Sequence, residues 1–195
     1  MWYWIFRAIT IVILKSFFRL KVEGLENLPK KTNFIAVANH TSYLDPFIVG
    51  AAIPKKIYWI AFKNFYKSFW TRWFLYRIET LPSGNASEKL IYLLMTHRNV
   101  GIFPEGARTD GELKEFRRGA ALLAIRTGRP IVPCAITGAH EALPRTARFP
   151  RFLPITIEIG KPQYLLKEPD DLIDDIYLQE GTFRIRNSVK ELLHA

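Results

Sequence analysis

The chain has 195 residues, enough for one domain with a sizeable core, and 49% of them are hydrophobic, which excludes an intrinsically disordered protein. A single cysteine, Cys134, excludes an intramolecular disulfide and any multi-cysteine metal site. The net charge of +10 suits nucleic acid, an anionic membrane surface, or a phosphorylated or acidic substrate, and does not choose among them.

The N-terminus, "MWYWIFRAITIVILKSFFRL", has an apolar stretch of only seven residues between Arg7 and Lys15. A spanning helix needs roughly 20. No small-residue cleavage site follows, so a signal peptide is not expected. Its aromatic start and basic residues fit a helix lying in a membrane interface, or alternatively a buried first helix. Residues 1–20 are therefore read as a membrane-associating helix and residues 21–195 as the main domain.

Short β-rich runs then recur: "LKVEG", "NFIAVAN", "KIYWIA", "RIETL", "VGIFP", "PIVPCAI" and "ITIEIG". Several are continuously apolar, as strands buried on both faces are. Helical patterns alternate with them over 86–97, where Ser87 is a candidate cap, and over 117–127. The expected fold is α/β, with a mostly parallel central sheet flanked by helices.

Residues 62–74, "FKNFYKSFWTRWF", predict a helix with Lys63, Asn64, Lys67, Ser68, Thr71 and Arg72 on one side. The opposite face, including Phe62, Phe69, Trp70 and Trp73, is almost wholly aromatic, which suits headgroup-level anchoring or packing on the domain. All five tryptophans fall within the first 73 residues. Residues 144–154, interrupted by three prolines, predict a long loop. The C-terminal stretch reads as an acidic amphipathic helix interrupted near Gly181.

In open α/β sheets, ligand sites gather at the carboxyl ends of strands. Two segments occupy that place. "FIAVA" leads to His40, with Asp45-Pro46 five residues on resembling a helix cap and first helical position. Across a strand-to-helix turn Asp45 can fold back and orient the imidazole as a general base. The alternative is a capping aspartate beside a turn histidine. The second segment, "VGIFPEGARTDG", runs from a buried strand into a glycine-containing turn whose N–H groups can bind an anion or a developing oxyanion. Arg108 adds a cation suited to phosphate, or is an ordinary solvated arginine. No P-loop ending and no G-x-S-x-G nucleophile elbow occurs.

Together, "NHTSYLDP" and "FPEGARTDG" resemble the N-H-x-S-x-x-D and F-P-E-G-T-R-S blocks of the glycerolipid acyltransferases. "EFRRGAALLAIRTGRPIVPCAITG" resembles that family's F-K-x-G-A-A stretch and its apolar V-P block. The resemblance covers roughly residues 20 to 162. It implies that His40 and Asp45 are catalytic and that Glu105, Gly106 and Arg108 bind the acceptor, with the arginine at its phosphate. It further implies transfer from an acyl carrier protein or coenzyme A thioester to a lysophospholipid, without a covalent acyl-enzyme. No cofactor and no metal are implied, and the family carries N-terminal helical membrane anchors.

Three departures stand out. Ala107 replaces the usual threonine, Pro82 or Ser83 stands where the second block carries a basic residue, and the chain is short for this family. The missing cation leaves open another acceptor, such as a lyso amino-acid lipid, or a catalytically silent lipid-binding protein. Arg77 or Lys89 is a candidate to compensate. A nucleic-acid partner is not expected, because no RNA-recognition signature accompanies the charge. The expected location is the cytoplasmic face of a cell inner membrane.

Overall fold

A computed structural model describes residues 2–61, 63–82, 86–166 and 173–194. The expectations placed on Phe62, on Ser83 and on residues 167–172 lie outside these.

Seven strands form one sheet in the order β1-β7-β6-β2-β5-β3-β4. They are β1 (Lys21–Glu23), β2 (Ile35–Ala38), β3 (Ile57–Ala61), β4 (Leu81–Pro82), β5 (Asn99–Ile102), β6 (Ile131–Thr137) and β7 (Thr156–Ile159). All neighbours are parallel except β6 and β7. Alternation within β2 divides the core in two, since successive side chains of a strand face opposite sides. Ala36 and Ala38 join Ile48 and Ile53 on one face. Ile35 and Val37 join Leu94, Ala124 and Val189 on the other.

The first face is covered by α1 (Trp2–Phe18) and α2 (Asp45–Ala52). The second carries α4 (Ala86–Met95), α5 (Gly119–Thr127) and α7 (Asp175–Leu193). Helix α3 (Phe69–Arg77) precedes β4, and the short α6 (Ala139–Ala142) follows β6. Because β2 lies between β5 and β6, its carboxyl end sits beside that of β5. That adjacency brings the two candidate segments together.

Four expectations are corrected. "RIETL" is not a strand: Arg77 ends α3, and pairing with β3 begins only at Leu81. The 62–74 segment is not one helix. A 3-10 turn over Lys63–Tyr66 precedes α3, and Ser68 between them is extended. Helix α7 runs unbroken through Gly181, where a Cβ would lie 3.0 Å from Leu165 Cδ1 and 3.4 Å from the Ala121 side chain. Glycine here permits close helix packing rather than an interruption. Finally, Ser87 lies inside α4, which begins at Ala86.

Helix α1 is not detached from the main domain. Leu14 and Phe18 are buried in the first core, and Arg7 donates to the Gly50 and Ala51 carbonyls at the end of α2, at 3.0 and 2.9 Å. Terminal helix carbonyls lack intrahelical donors, so this contact satisfies two of them. The other side of α1 leaves Trp4, Ile9, Val12 and Phe17 exposed. Phe6 and Phe74 meet edge-on at 5.2 Å, joining α1 to α3, on which Phe69, Trp70 and Tyr76 are exposed. Among the described residues no helix is long and apolar enough to cross a membrane.

Candidate active site

The site begins where β2 ends. The Asn39 side chain continues the ladder to β6: its amide donates to Ile136 O at 2.9 Å and its oxygen accepts from Ile136 N at 2.8 Å. Both polar groups of Ile136 are thereby satisfied, and the chain is fixed at the residue before His40.

Asp45 does not cap α2, correcting the cap expectation. It occupies the first helical position, and the helix has no side-chain cap. Its fully buried carboxylate turns back instead, with Oδ2 accepting from Thr41 N at 2.7 Å and Ser42 N at 2.8 Å. The same oxygen lies 2.8 Å from His40 Nδ1. A carboxylate surrounded by N–H donors acts as an acceptor, which assigns the hydrogen to Nδ1 and leaves Nε2 with its lone pair. The pair is therefore a positioned base.

The imidazole is also held from its face. It stacks on Phe103 with ring centroids 4.2 Å apart, and Phe103 stacks on Trp59 at 4.8 Å. Trp59 lies opposite Gly101 in the β3–β5 register. A Cβ at Gly101 would come within 2.5 Å of the indole, so this glycine makes room for the whole stack.

Glu105 joins the two segments. Oε1 accepts from His40 N at 2.8 Å and Oε2 from Lys114 N at 3.3 Å. Burial raises its carboxyl above the usual range, opposed by these two N–H donors. Thr109 N donates to His40 O at 2.8 Å, so both backbone polar groups of His40 are tied to the turn after β5. The N–H of Gly106 donates to Phe103 O at 3.2 Å and is not available to an oxyanion.

Gly106 has φ +77°, and a Cβ there would sit 2.5 Å from Arg117 Cζ. The Arg117 guanidinium thus packs directly on the glycine. Arg108 lies over the Tyr43 ring at 3.3 Å, and its buried Nη1 has no hydrogen-bond partner among the described residues. Neither Arg77 nor Lys89 lines the cavity described next; Arg77 instead stacks over Trp2 and Trp73.

A cavity of about 760 Å³ opens at His40. Arg108, Arg117 and Arg145 line it together with His40, as do the apolar Phe6, Phe47, Phe74 and Leu123. Sequence reasoning gave no role to Asn39, Trp59, Arg117 or Arg145, although Asn39 stands in "NHTSYLDP" and Arg117 in "EFRRG". No group of three or more His, Cys, Asp or Glu suited to a metal occurs among the described residues. Cys134 is buried in the core, and burial pushes its thiol up to about 12.

A His40–Asp45 pair with its carboxylate buried, at the end of a parallel strand and opening on a cavity edged by guanidinium groups, is the arrangement of a general-base enzyme. Comparison with known proteins gives that class a family. The model described as Acyltransferase matches residues 19–137. A 1-acyl-sn-glycerol-3-phosphate acyltransferase of Bacillus subtilis is 34% identical over 134 residues, covering 65% of this chain and 67% of that protein. One from Borreliella burgdorferi is 29% identical over 150 residues, covering 72% of this chain and 60% of that protein. The crystal structure of a 1-acyl-sn-glycerophosphate acyltransferase from Thermotoga maritima shares the fold, with a TM-score of 0.73 at 24% identity over 95% of this chain and 80% of that one. The chain belongs to the acyltransferase family, and is a transferase similar to the 1-acyl-sn-glycerol-3-phosphate acyltransferases.

Proposed function

We propose that the chain moves a fatty acyl group from an acyl thioester, on acyl carrier protein or coenzyme A, to the free hydroxyl of a lysophospholipid. The acceptor is 1-acyl-sn-glycerol-3-phosphate and the product phosphatidic acid. One observation carries this reading: the free Nε2 of His40 faces a cavity apolar enough for an acyl chain and edged by the guanidinium groups of Arg108, Arg117 and Arg145.

In the reaction, Nε2 takes the hydroxyl proton as the oxygen attacks the thioester carbonyl. The tetrahedral intermediate collapses with loss of the C–S bond, and the imidazolium returns the proton to the departing thiolate. Asp45 keeps the ring oriented and stabilises its protonated form. Glu105 acts as a positioning residue through the His40 backbone. Gly106 admits Arg117, which with Arg108 meets the acceptor phosphate and supplies the cation missing at Pro82.

The exposed apolar face of α1 and the aromatic face of α3 hold the protein on the cytoplasmic side of the inner membrane, where a lysolipid enters without leaving the bilayer. The test is a purified-enzyme assay with acyl-CoA and acyl carrier protein donors, comparing lysophosphatidate with lysophosphatidylglycerol and a lyso amino-acid lipid. Preference for lysophosphatidate is expected. A preference for the amino-acid lipid would transfer the function to that acceptor.

A further inference from the structure

The loop between α6 and β7 lies outside the His40–Asp45 centre, yet its composition is unusual. Between Glu141 and Glu158 there is no acidic residue, while Arg145, Arg148 and Arg151 alternate with Phe149, Phe152 and Leu153. All six side chains are exposed, Phe149 to 81% and Phe152 to 60%. None of the three arginines pairs with a carboxylate among the described residues.

The loop is nevertheless held in place. Arg151 N donates to Ala142 O at 2.7 Å, Ala147 N to Pro144 O at 3.0 Å, and Ile155 N to Phe18 O at 2.9 Å. The Phe152 ring lies 5.1 Å from Phe17 and 5.6 Å from Phe18, at the end of α1. The exposed apolar side of α1 therefore continues into the loop. Arg145, at the loop's start, lines the catalytic cavity.

We propose that residues 145–153 are a binding site for anionic phospholipid headgroups, extending the lipid-facing side of α1 to the mouth of the cavity. This rests on the membrane reading given above. Two exposed phenylalanines are costly in water but suit the headgroup boundary, where Arg side chains run their stems along apolar surface and meet phosphates. The continuity through Phe17 and Phe152 favours a lipid surface over an acidic protein, whose docking would not need the loop to be aligned with α1.

The test measures flotation of the intact chain with vesicles of phosphatidylcholine alone or mixed with phosphatidylglycerol. Arg148→Gln/Arg151→Gln is compared with a control, Arg184→Gln/Lys190→Gln, that removes two exposed charges from α7. The loop variant should lose roughly thirtyfold in partitioning onto anionic vesicles and nothing on phosphatidylcholine. Its activity on detergent-dispersed acceptor should equal the parent's. Separately, Phe149→Cys labelled with an environment-sensitive dye should shift to the blue on anionic vesicles; Cys134 is buried and will not label.

An unchanged loop variant, or a control that loses as much, overturns the proposal. So does a loop variant that binds vesicles normally but raises KM for an acyl carrier protein donor, since the loop would then dock a protein. If the parent binds neither vesicle, the membrane reading itself fails and this site with it.

Discussion

His40 Nδ1 lies 2.8 Å from Asp45 Oδ2, the same oxygen that accepts the N–H groups of Thr41 and Ser42. One carboxylate oxygen therefore sets both the catalytic ring and the backbone that presents it. On the proposed mechanism, catalysis and local stability are coupled at this atom.

Asp45→Asn tests that coupling. An amide oxygen in the place of Oδ2 carries no negative charge, so its contacts to His40 Nδ1, Thr41 N and Ser42 N all weaken and the imidazolium loses its counter-charge. The expected result is at least a hundredfold lower kcat together with a stability loss of about 1–3 kcal/mol. Steady-state kinetics and urea unfolding of the same preparation measure both. Loss of activity with unchanged stability would show that the backbone contacts are dispensable.

Gly106→Ala should raise the acceptor KM roughly tenfold with a smaller effect on kcat, because a Cβ displaces the Arg117 guanidinium packed on this glycine. In an Arg117→Ala background the same substitution should cost far less. Additive effects in this double-mutant cycle would separate the two residues.

Arg108→Ala and Arg117→Ala should each weaken binding of phosphate-bearing acceptors by about 1.5–3 kcal/mol, a charge-assisted contact of ordinary strength. Acceptors lacking a phosphomonoester should lose much less. Equal losses on both acceptor types would remove these residues from the phosphate.

Alkylating reagents should leave the native enzyme active at neutral pH. A thiol pushed up to about 12 by burial carries almost no thiolate there, and Cys134 is inaccessible. The modified fraction, followed by mass spectrometry, should rise only on unfolding. Rapid labelling with inactivation would place Cys134 at the site.

Much of this was legible in the sequence. Apolar runs such as "FIAVA" disclose strands buried on both faces, and strand ends disclose His40 and the "FPEG" turn. The fold-back of Asp45 towards His40 was legible only as one of two readings, because a proline after an aspartate reads as a helix start whichever way the side chain turns. The stack of His40, Phe103 and Trp59 was not legible, since Trp59 reaches the site only through the β3–β5 register and the bare Gly101. Arg117 was legible only as part of "EFRRG", since its approach depends on the positive φ of Gly106, eleven residues earlier. The misread break at Gly181 arose because a glycine that admits a packed neighbour looks, in sequence, like one that ends a helix.

The most direct test of the account is the rate of phosphatidic acid formation from lysophosphatidate and an acyl thioester by purified His40→Ala protein. Circular dichroism and thermal unfolding should first show that it is folded like the parent. The account predicts a rate at least a hundredfold lower, with acceptor binding retained through Arg108 and Arg117. A folded His40→Ala protein that forms phosphatidic acid at the parent's rate would contradict it.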